Sequence, residues 1–287
     1  MTSSPSGPEP SPAVGARTSR AGRDLPTAIG VGVGVGAIAI ALIAVWRPGF
    51  VGLIAVVMAA AVWEMRDTLR RARGVAVVWL PVMVGAVAVV VCAWWWGHQA
   101  QGIGLAIAAL AVMFSRLRGG ADGYLTDVTA SIFLLVYLGG FGSFATLLVQ
   151  PTDGFGRILV FLIAVVCSDT GGYAVGVLLG RHPMAPSISP KKSWEGFAGS
   201  VVAATAGAAI ALPLLLHTHW WYGAILGAVI ALVAVGGDLA ESLIKRDIGV
   251  KDMGTLVPGH GGVMDRLDSL LPCAAVSWIL LALFVPA

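Results

Sequence analysis

Between Gly236 and Ser269 the chain gathers six acids (Asp238, Glu241, Asp247, Asp252, Asp265, Asp268) and four bases (Lys245, Arg246, Lys251, Arg266). Only 11% of the whole sequence is charged. Apolar runs long enough to cross a bilayer flank this stretch. Charge at the edge of hydrocarbon is costly unless it is paired or binds something. Asp238, Ser242 and Lys245 are spaced i, i+4, i+7, so a helix continuing from the preceding apolar run aligns them on one face. Asp265 and Asp268, spaced i, i+3, share a face at the start of the next run. Carboxylates from two separate helix ends suit a hard divalent cation such as Mg²⁺, with waters and phosphate oxygens completing an octahedron. The same acids also suit ion pairs with Lys245, Arg246 and Arg266, and Glu241 with Lys245 makes an ordinary i,i+4 pair. Spacing alone does not separate these readings.

Pro258-Gly-His-Gly-Gly262 lies between the two acidic halves. Its glycines let backbone N–H groups converge on one anion, a concavity suited to phosphate. His260 either donates to a phosphate oxygen or is satisfied locally. Asp169, in Ser168-Asp-Thr-Gly-Gly-Tyr173, falls near the middle of an apolar run, where a carboxylate costs roughly 2.5–3.5 kcal/mol on insertion scales. Either the helix breaks at Gly171-Gly172 to bring it to a site, or it pairs with a base. Ser187-Ile-Ser-Pro-Lys-Lys-Ser-Trp-Glu-Gly196 reads as a helix start with Ser189 as N-cap and Pro190 as first residue. A helix N-terminus carrying Lys191 and Lys192 is an anion site, or else the lysines only mark the cytoplasmic side.

The elements that must position these residues are set by hydropathy. The chain is 57% hydrophobic with a mean hydropathy of +0.88, more apolar surface than a soluble core of 287 residues can hide. An all-α polytopic membrane protein follows. Residues 1–26, rich in Ser, Pro and Gly, are expected to be a disordered tail without a cleaved leader. Apolar runs recur at 27–46, 49–63, 75–96, 98–114, 127–149, 158–180, 197–216, 218–237 and 270–286. A span needs about 20 residues, so about nine transmembrane helices are expected. They divide into an N-terminal membrane region over 27–160 and a C-terminal catalytic region over 161–287. Gly30-x-Gly-x-Gly-x-Gly36 is read as helix packing. With the N-terminus in the cytoplasm, every basic residue except Arg47 and Arg157 falls on the cytoplasmic side. Both motif-bearing loops, 181–196 and 238–269, fall there too. Trp94–Trp96 and Trp220, Trp221, Tyr222 sit at run ends like an interfacial belt. Cys92, Cys167 and Cys273 each stand alone in an apolar run and are read as small core residues.

The run Ser242-Leu-Ile-Lys-Arg-(x4)-Lys-Asp-x-Gly-x-Leu-Val-Pro-Gly-His-Gly-Gly-Val-Met-Asp-Arg-Leu-Asp268 resembles the characteristic motif of phosphatidate cytidylyltransferases, the CDP-diacylglycerol synthases. Val257 stands where that family more often has Leu, Ile or Phe. The segments around Asp169 and Ser189 are also similar to family blocks, with Gly172 in place of a usual Ala and Ser193 in place of a usual Thr. The strong likeness covers about 165–270.

The resemblance implies CTP and phosphatidate as substrates, CDP-diacylglycerol and pyrophosphate as products, and a Mg²⁺-dependent, often dimeric enzyme. It implies Asp238 and Asp265 as metal carboxylates, with Asp169 added here, and a K⁺ beside the Mg²⁺. Ser242, Lys245, Arg246 and Asp268 are the expected catalytic group. Ser189, Lys191, Lys192, Lys251, His260, Gly261, Gly262 and Arg266 are the expected substrate contacts. Membrane lipid and a second copy of the chain are expected partners, and nucleic acid is not. The expected location is the plasma (cytoplasmic) membrane, with the site facing the cytoplasm. An ion-coupled transporter would also carry intramembrane acids, but the sequence shows no paired inverted repeats. A CDP-alcohol phosphotransferase would carry Asp-Gly-x-x-Ala-Arg, which this sequence lacks.

Overall fold

The computed structural model describes residues 25–254, 256 and 262–285. The tail 1–24 and the loop residues His260 and Gly261 lie outside them. The described chain is a bundle of helices: α1 (Leu25–Val45), α2 (Arg47–Arg73), α3 (Trp79–Arg116), α4 (Tyr124–Leu134), a π-helical stretch (Leu135–Gly140), α5 (Phe141–Val149), α6 (Gly154–Leu179), α7 (Trp194–Leu216), α8 (Trp220–Ile248), α9 (Met264–Leu267) and α10 (Leu270–Phe284). The strands found among the described residues, β1 (Pro183–Ala185) and β2 (Ser189–Ser193), pair antiparallel between α6 and α7.

Seven helical stretches among the described residues are long and apolar enough to cross a membrane, and the described apolar part of α1, Gly34–Val45, is shorter. Two of the nine apolar runs are joined in α3. Gly97 there adopts φ 65°, ψ −154°, a conformation open to glycine and strained for other residues. Beyond it the chain folds back, so that a Cβ on Gly85 would stand 2.5 Å from Cβ of Ala108 and one on Gly104 would stand 3.0 Å from Val89. The runs 75–96 and 98–114 are thus two antiparallel arms. The packing role expected of Gly30–Gly36 is not seen where side chains are described, since Gly34 and Gly36 face open space.

The bundle has two ends, and the connections alternate between them. At one end Arg47 donates to the carbonyls of Pro151 and Thr152, each at 2.7 Å, and Gln150 donates to Trp94 O at 3.0 Å. Arg157, buried, reaches the Val285 carbonyl at 2.6 Å, and Tyr222 stacks on Phe284. Exposed Trp95, Trp96 and Trp220 lie at this end. At the other end Asp127 accepts from Ala76 N at 2.8 Å and pairs with Arg116 at 2.9 Å, while Arg73 donates to the Asp247 carbonyl.

Leu134, Leu138, Leu148, Ile158, Leu212 and Ile230 are fully buried, whereas Val177, Leu178, Val202 and Leu214 are more than 60% exposed. So extensive an outward-facing apolar surface, on helices long enough to cross a bilayer, fits lipid as the solvent. The most extensive helix contact among the described residues joins α6 and α7. A Cβ on Gly199 would stand 2.6 Å from Cβ of Val175 and 2.7 Å from the Gly171 carbonyl. Small residues let the backbones meet, as in membrane helix pairs generally. That approach brings α6, α8 and the β1–β2 ribbon around one cavity.

Candidate active site

The cavity holds about 420 Å³ and opens at the end of the bundle that carries Asp127 and Asp247. Asp169 from α6, Asp238 from α8, Asp265 from α9 and Asp268 line it together with Lys191 and Lys192 of β2 and Arg266. Oxygen donors and cations thus come from four separate stretches of chain, which only folding brings together.

Each carboxylate has a different setting. Asp265 is tied inward: Oδ1 accepts from Lys245 Nζ at 2.9 Å, and Oδ2 from Gly262 N at 2.8 Å and Met253 N at 3.0 Å. Lys245 also lies 2.5 Å from Oε2 of Glu241, whose carboxylate is fully buried. Asp238 pairs with Lys192 at 2.7 Å and accepts a long bond from the Ser242 hydroxyl at 3.4 Å. Asp268 accepts from Ser269 N at 2.7 Å, and its backbone carbonyl accepts from the Tyr137 hydroxyl at 3.1 Å. Asp169 makes no side-chain hydrogen bond among the described residues and projects into the cavity. Ion pairs thus engage Asp265 with Lys245 and Asp238 with Lys192, while Asp169 and Asp268 make no ion pair among the described residues.

Asp169 reaches the cavity as expected, but without the expected helix break, and it forms no ion pair among the described residues. Helix α6 runs unbroken through Gly171 and Gly172, because both glycines pack against α7 rather than bend the chain. Asp169 reaches the cavity because α6 itself lines it. The expected helix start at Ser189 is also corrected. Residues 189–193 form β2, and α7 begins at Trp194 with Ser193 as its N-cap, in extended conformation, accepting from Gly196 N at 3.1 Å. Glu195 in the first turn accepts from Arg181 N and His182 N, which secures the ribbon to the helix. Lys191 and Lys192 are therefore presented by a strand.

Among the remaining expected residues, Gly262 is buried and donates to Asp265, and Arg266 lines the cavity. Ser189, Arg246 and Lys251 do not line it, and the last two are exposed. Sequence reasoning missed Glu64 and Thr68 of α2 and Tyr137 of the π-helical stretch. The hydroxyl of Thr68 donates to the Met253 carbonyl, and Glu64 accepts from Met264 N at 3.1 Å. A single acid closing the apolar run 49–63 was the available signal for Glu64.

The donor chemistry fits Mg²⁺. Hard oxygen donors line one cavity, interspersed with cations that suit phosphate. Among the described residues no three His, Cys, Asp or Glu side chains close around a single point. An open arrangement is usual for Mg²⁺, which keeps waters and binds through one or two carboxylates plus substrate phosphates.

Residues 26–284 match the model of the cytidylyltransferase family. The chain is 43% identical to the phosphatidate cytidylyltransferase of Mycobacterium bovis over 96% of both chains. It is 44% identical to that of Mycobacterium tuberculosis, strain CDC 1551, over 96% of this chain and 90% of the relative. A shorter match, 54% identical over 160 residues, joins it to the Mycobacterium leprae protein of the same name, covering 56% of this chain and 51% of that one.

Proposed function

The chain belongs to the cytidylyltransferase family, and from that premise we infer that it transfers the cytidylyl group of CTP to phosphatidate, giving CDP-diacylglycerol and pyrophosphate. The observation that carries this reading is a cavity at one end of a membrane bundle that combines four aspartates with Lys191, Lys192 and Arg266. The phosphate of phosphatidate attacks the α-phosphorus of CTP, a new P–O–P bond forms, and pyrophosphate leaves. A phosphomonoester has its second pKa near 6 and is largely dianionic at neutral pH, so no general base is needed. The work left to the protein is to bring two polyanions together and hold them in line.

Lys192 and Lys191 are suited to the phosphates, and Arg266 adds a planar donor fork. Lys245, held by Glu241 and Asp265, fixes the wall from which Asp265 and Asp268 project. Asp169, Asp238 and Asp268, with Asp265 beside them, are the carboxylates we assign to Mg²⁺. When bound, the ion supplies charge neutralisation on the phosphate oxygens. A K⁺ beside it belongs to the same reading.

We further take the protein as a homodimer of nine-span subunits in the plasma membrane, with N-terminus and cavity cytoplasmic. The hairpin at Gly97, together with α1, supports the count of nine. The side is supported by the basic residues: Arg70, Arg71, Arg73, Arg116, Arg118 and Arg181 accompany the cavity end, and Arg47 and Arg157 lie at the other. The acyl chains of phosphatidate then stay in the bilayer while the headgroup enters the cavity.

The test is CTP-dependent conversion of phosphatidate by the purified protein, followed by transfer of label from CTP into lipid. Label appearing in CDP-diacylglycerol, with stoichiometric pyrophosphate, is the expected result. Absence of label in lipid with folded protein removes the proposal.

A further inference from the structure

Glu64 sits near the cavity end of α2, and its residue is only 4% exposed. Its two oxygens serve two stretches of backbone: Oε2 accepts from Met264 N at 3.1 Å and Oε1 from Leu256 N at 3.4 Å. One turn further along α2, Thr68 donates to the Met253 carbonyl. A single face of α2 thus grips both limbs of the segment that leaves α8 and returns at α9.

Two glycines make room for this grip. A Cβ on Gly262 would stand 2.5 Å from Glu64 Oε2 and 2.8 Å from Gly254 N, and one on Gly254 would fall on the Glu64 carboxylate itself. On the opposite side Asp265 accepts from Met253 N and Gly262 N. The two limbs are therefore pinched between two carboxylates, Glu64 and Asp265, with Lys245 behind the second. A side chain needed only for packing at this depth would be apolar, since an acid buried here has to be compensated by donors. The paired oxygens of Glu64 instead set the spacing of Leu256 and Met264, and so the position of the Asp265–Arg266 wall of the cavity.

We propose that Glu64 is a positioning residue for nucleotide binding: it holds Met253, Gly254 and Leu256 on one limb and 262–264 on the other in the register that CTP phosphates require. The proposal rests on the cytidylyltransferase reading above. It adds a helix from the N-terminal half of the chain to the site.

Glu64→Gln keeps the volume and one acceptor but turns an amide N–H₂ toward one of the two backbone donors. Its kcat/KM for CTP should fall about tenfold or more while KM for phosphatidate stays within about twofold. Hydrogen exchange at Leu256 and Met264 should accelerate by about tenfold relative to wild type. Thr68→Val should shift CTP kinetics in the same direction by a smaller factor, and it carries the test if Glu64→Gln does not accumulate. Gly254→Ala should be less damaging in a Glu64→Ala background than alone, because the carboxylate that the new Cβ meets is then gone. The proposal is overturned by unchanged CTP kinetics in Glu64→Gln and Thr68→Val. It is also overturned if both substrates suffer equally alongside a lowered Tm, which marks a merely structural role. Failure of the functional reading looks different: wild-type protein then transfers no label. In that event CTP-induced protection of Leu256 and Met264, present in wild type and lost in Glu64→Gln, still supports the clasp, and its absence from wild type overturns it.

Discussion

Lys245 Nζ lies 2.9 Å from Asp265 Oδ1, joining the end of α8 to α9 across a gap of 20 residues. The same ammonium sits 2.5 Å from Glu241, so one cation serves two carboxylates that the fold has largely removed from water. Asp265 passes the constraint on through its other oxygen, which receives Gly262 N and Met253 N. Lys245 is thus the pin of the cavity wall that carries Arg266 and Asp268.

Removing one partner of such a pair leaves an uncompensated charge, which costs about 3 kcal/mol or more. Lys245→Ala should therefore lower stability by about that amount in a detergent melt and lose activity with it. Asp265→Asn should lower turnover by about a hundredfold or more while the protein still inserts and folds. Near-normal CDP-diacylglycerol formation by Asp265→Asn would remove that residue from the centre.

Chelation separates the metal assignment from the electrostatic one. EDTA should abolish turnover and added Mg²⁺ should restore it. Asp238→Asn should raise the Mg²⁺ concentration for half-maximal rate by about tenfold or more, because the remaining ligands are fewer. Full activity in EDTA, or an unchanged Mg²⁺ dependence in Asp238→Asn, contradicts the assignment.

The boundary of α7 makes a prediction that needs no assay. Ser193→Ala removes the acceptor for Gly196 N and should cost about 1 kcal/mol. Ser189→Ala, in β2 and four residues earlier, should leave the melting temperature unchanged. The reverse ranking would restore a helix start at Ser189.

The α6–α7 contact is predicted to be intolerant of volume. Gly199→Val places its Cβ 2.6 Å from that of Val175, so it should destabilise by about 1–3 kcal/mol through overpacking. Thermal melts in detergent measure this. A stability equal to wild type would mean that the helices are not held at this distance.

The sequence by itself determined the solvent, the helical class and the family resemblance. Runs of apolar residues near the thickness of a bilayer leave a backbone no alternative to helix. Acids and bases confined to loops between such runs mark where charge has work to do. Local rules also aligned Asp238 with Ser242 and Asp265 with Asp268, because helical spacing is a near-neighbour property. They failed at Ser189, where Ser-Pro reads as a cap although pairing with Pro183–Ala185 draws the segment into a strand. They also could not show that α6 stays straight past Gly171, since the reason is the partner helix α7. Only the tertiary structure decided which of the cavity's acids is paired and which is not: Asp265 is held by Lys245, while Asp169 makes no ion pair among the described residues. In the sequence Glu64 shows only as an acid closing an apolar run, and its role was hidden for the same cause. Its partners, Leu256 and Met264, are about 200 positions away, and only packing of α2 against the returning chain makes them neighbours.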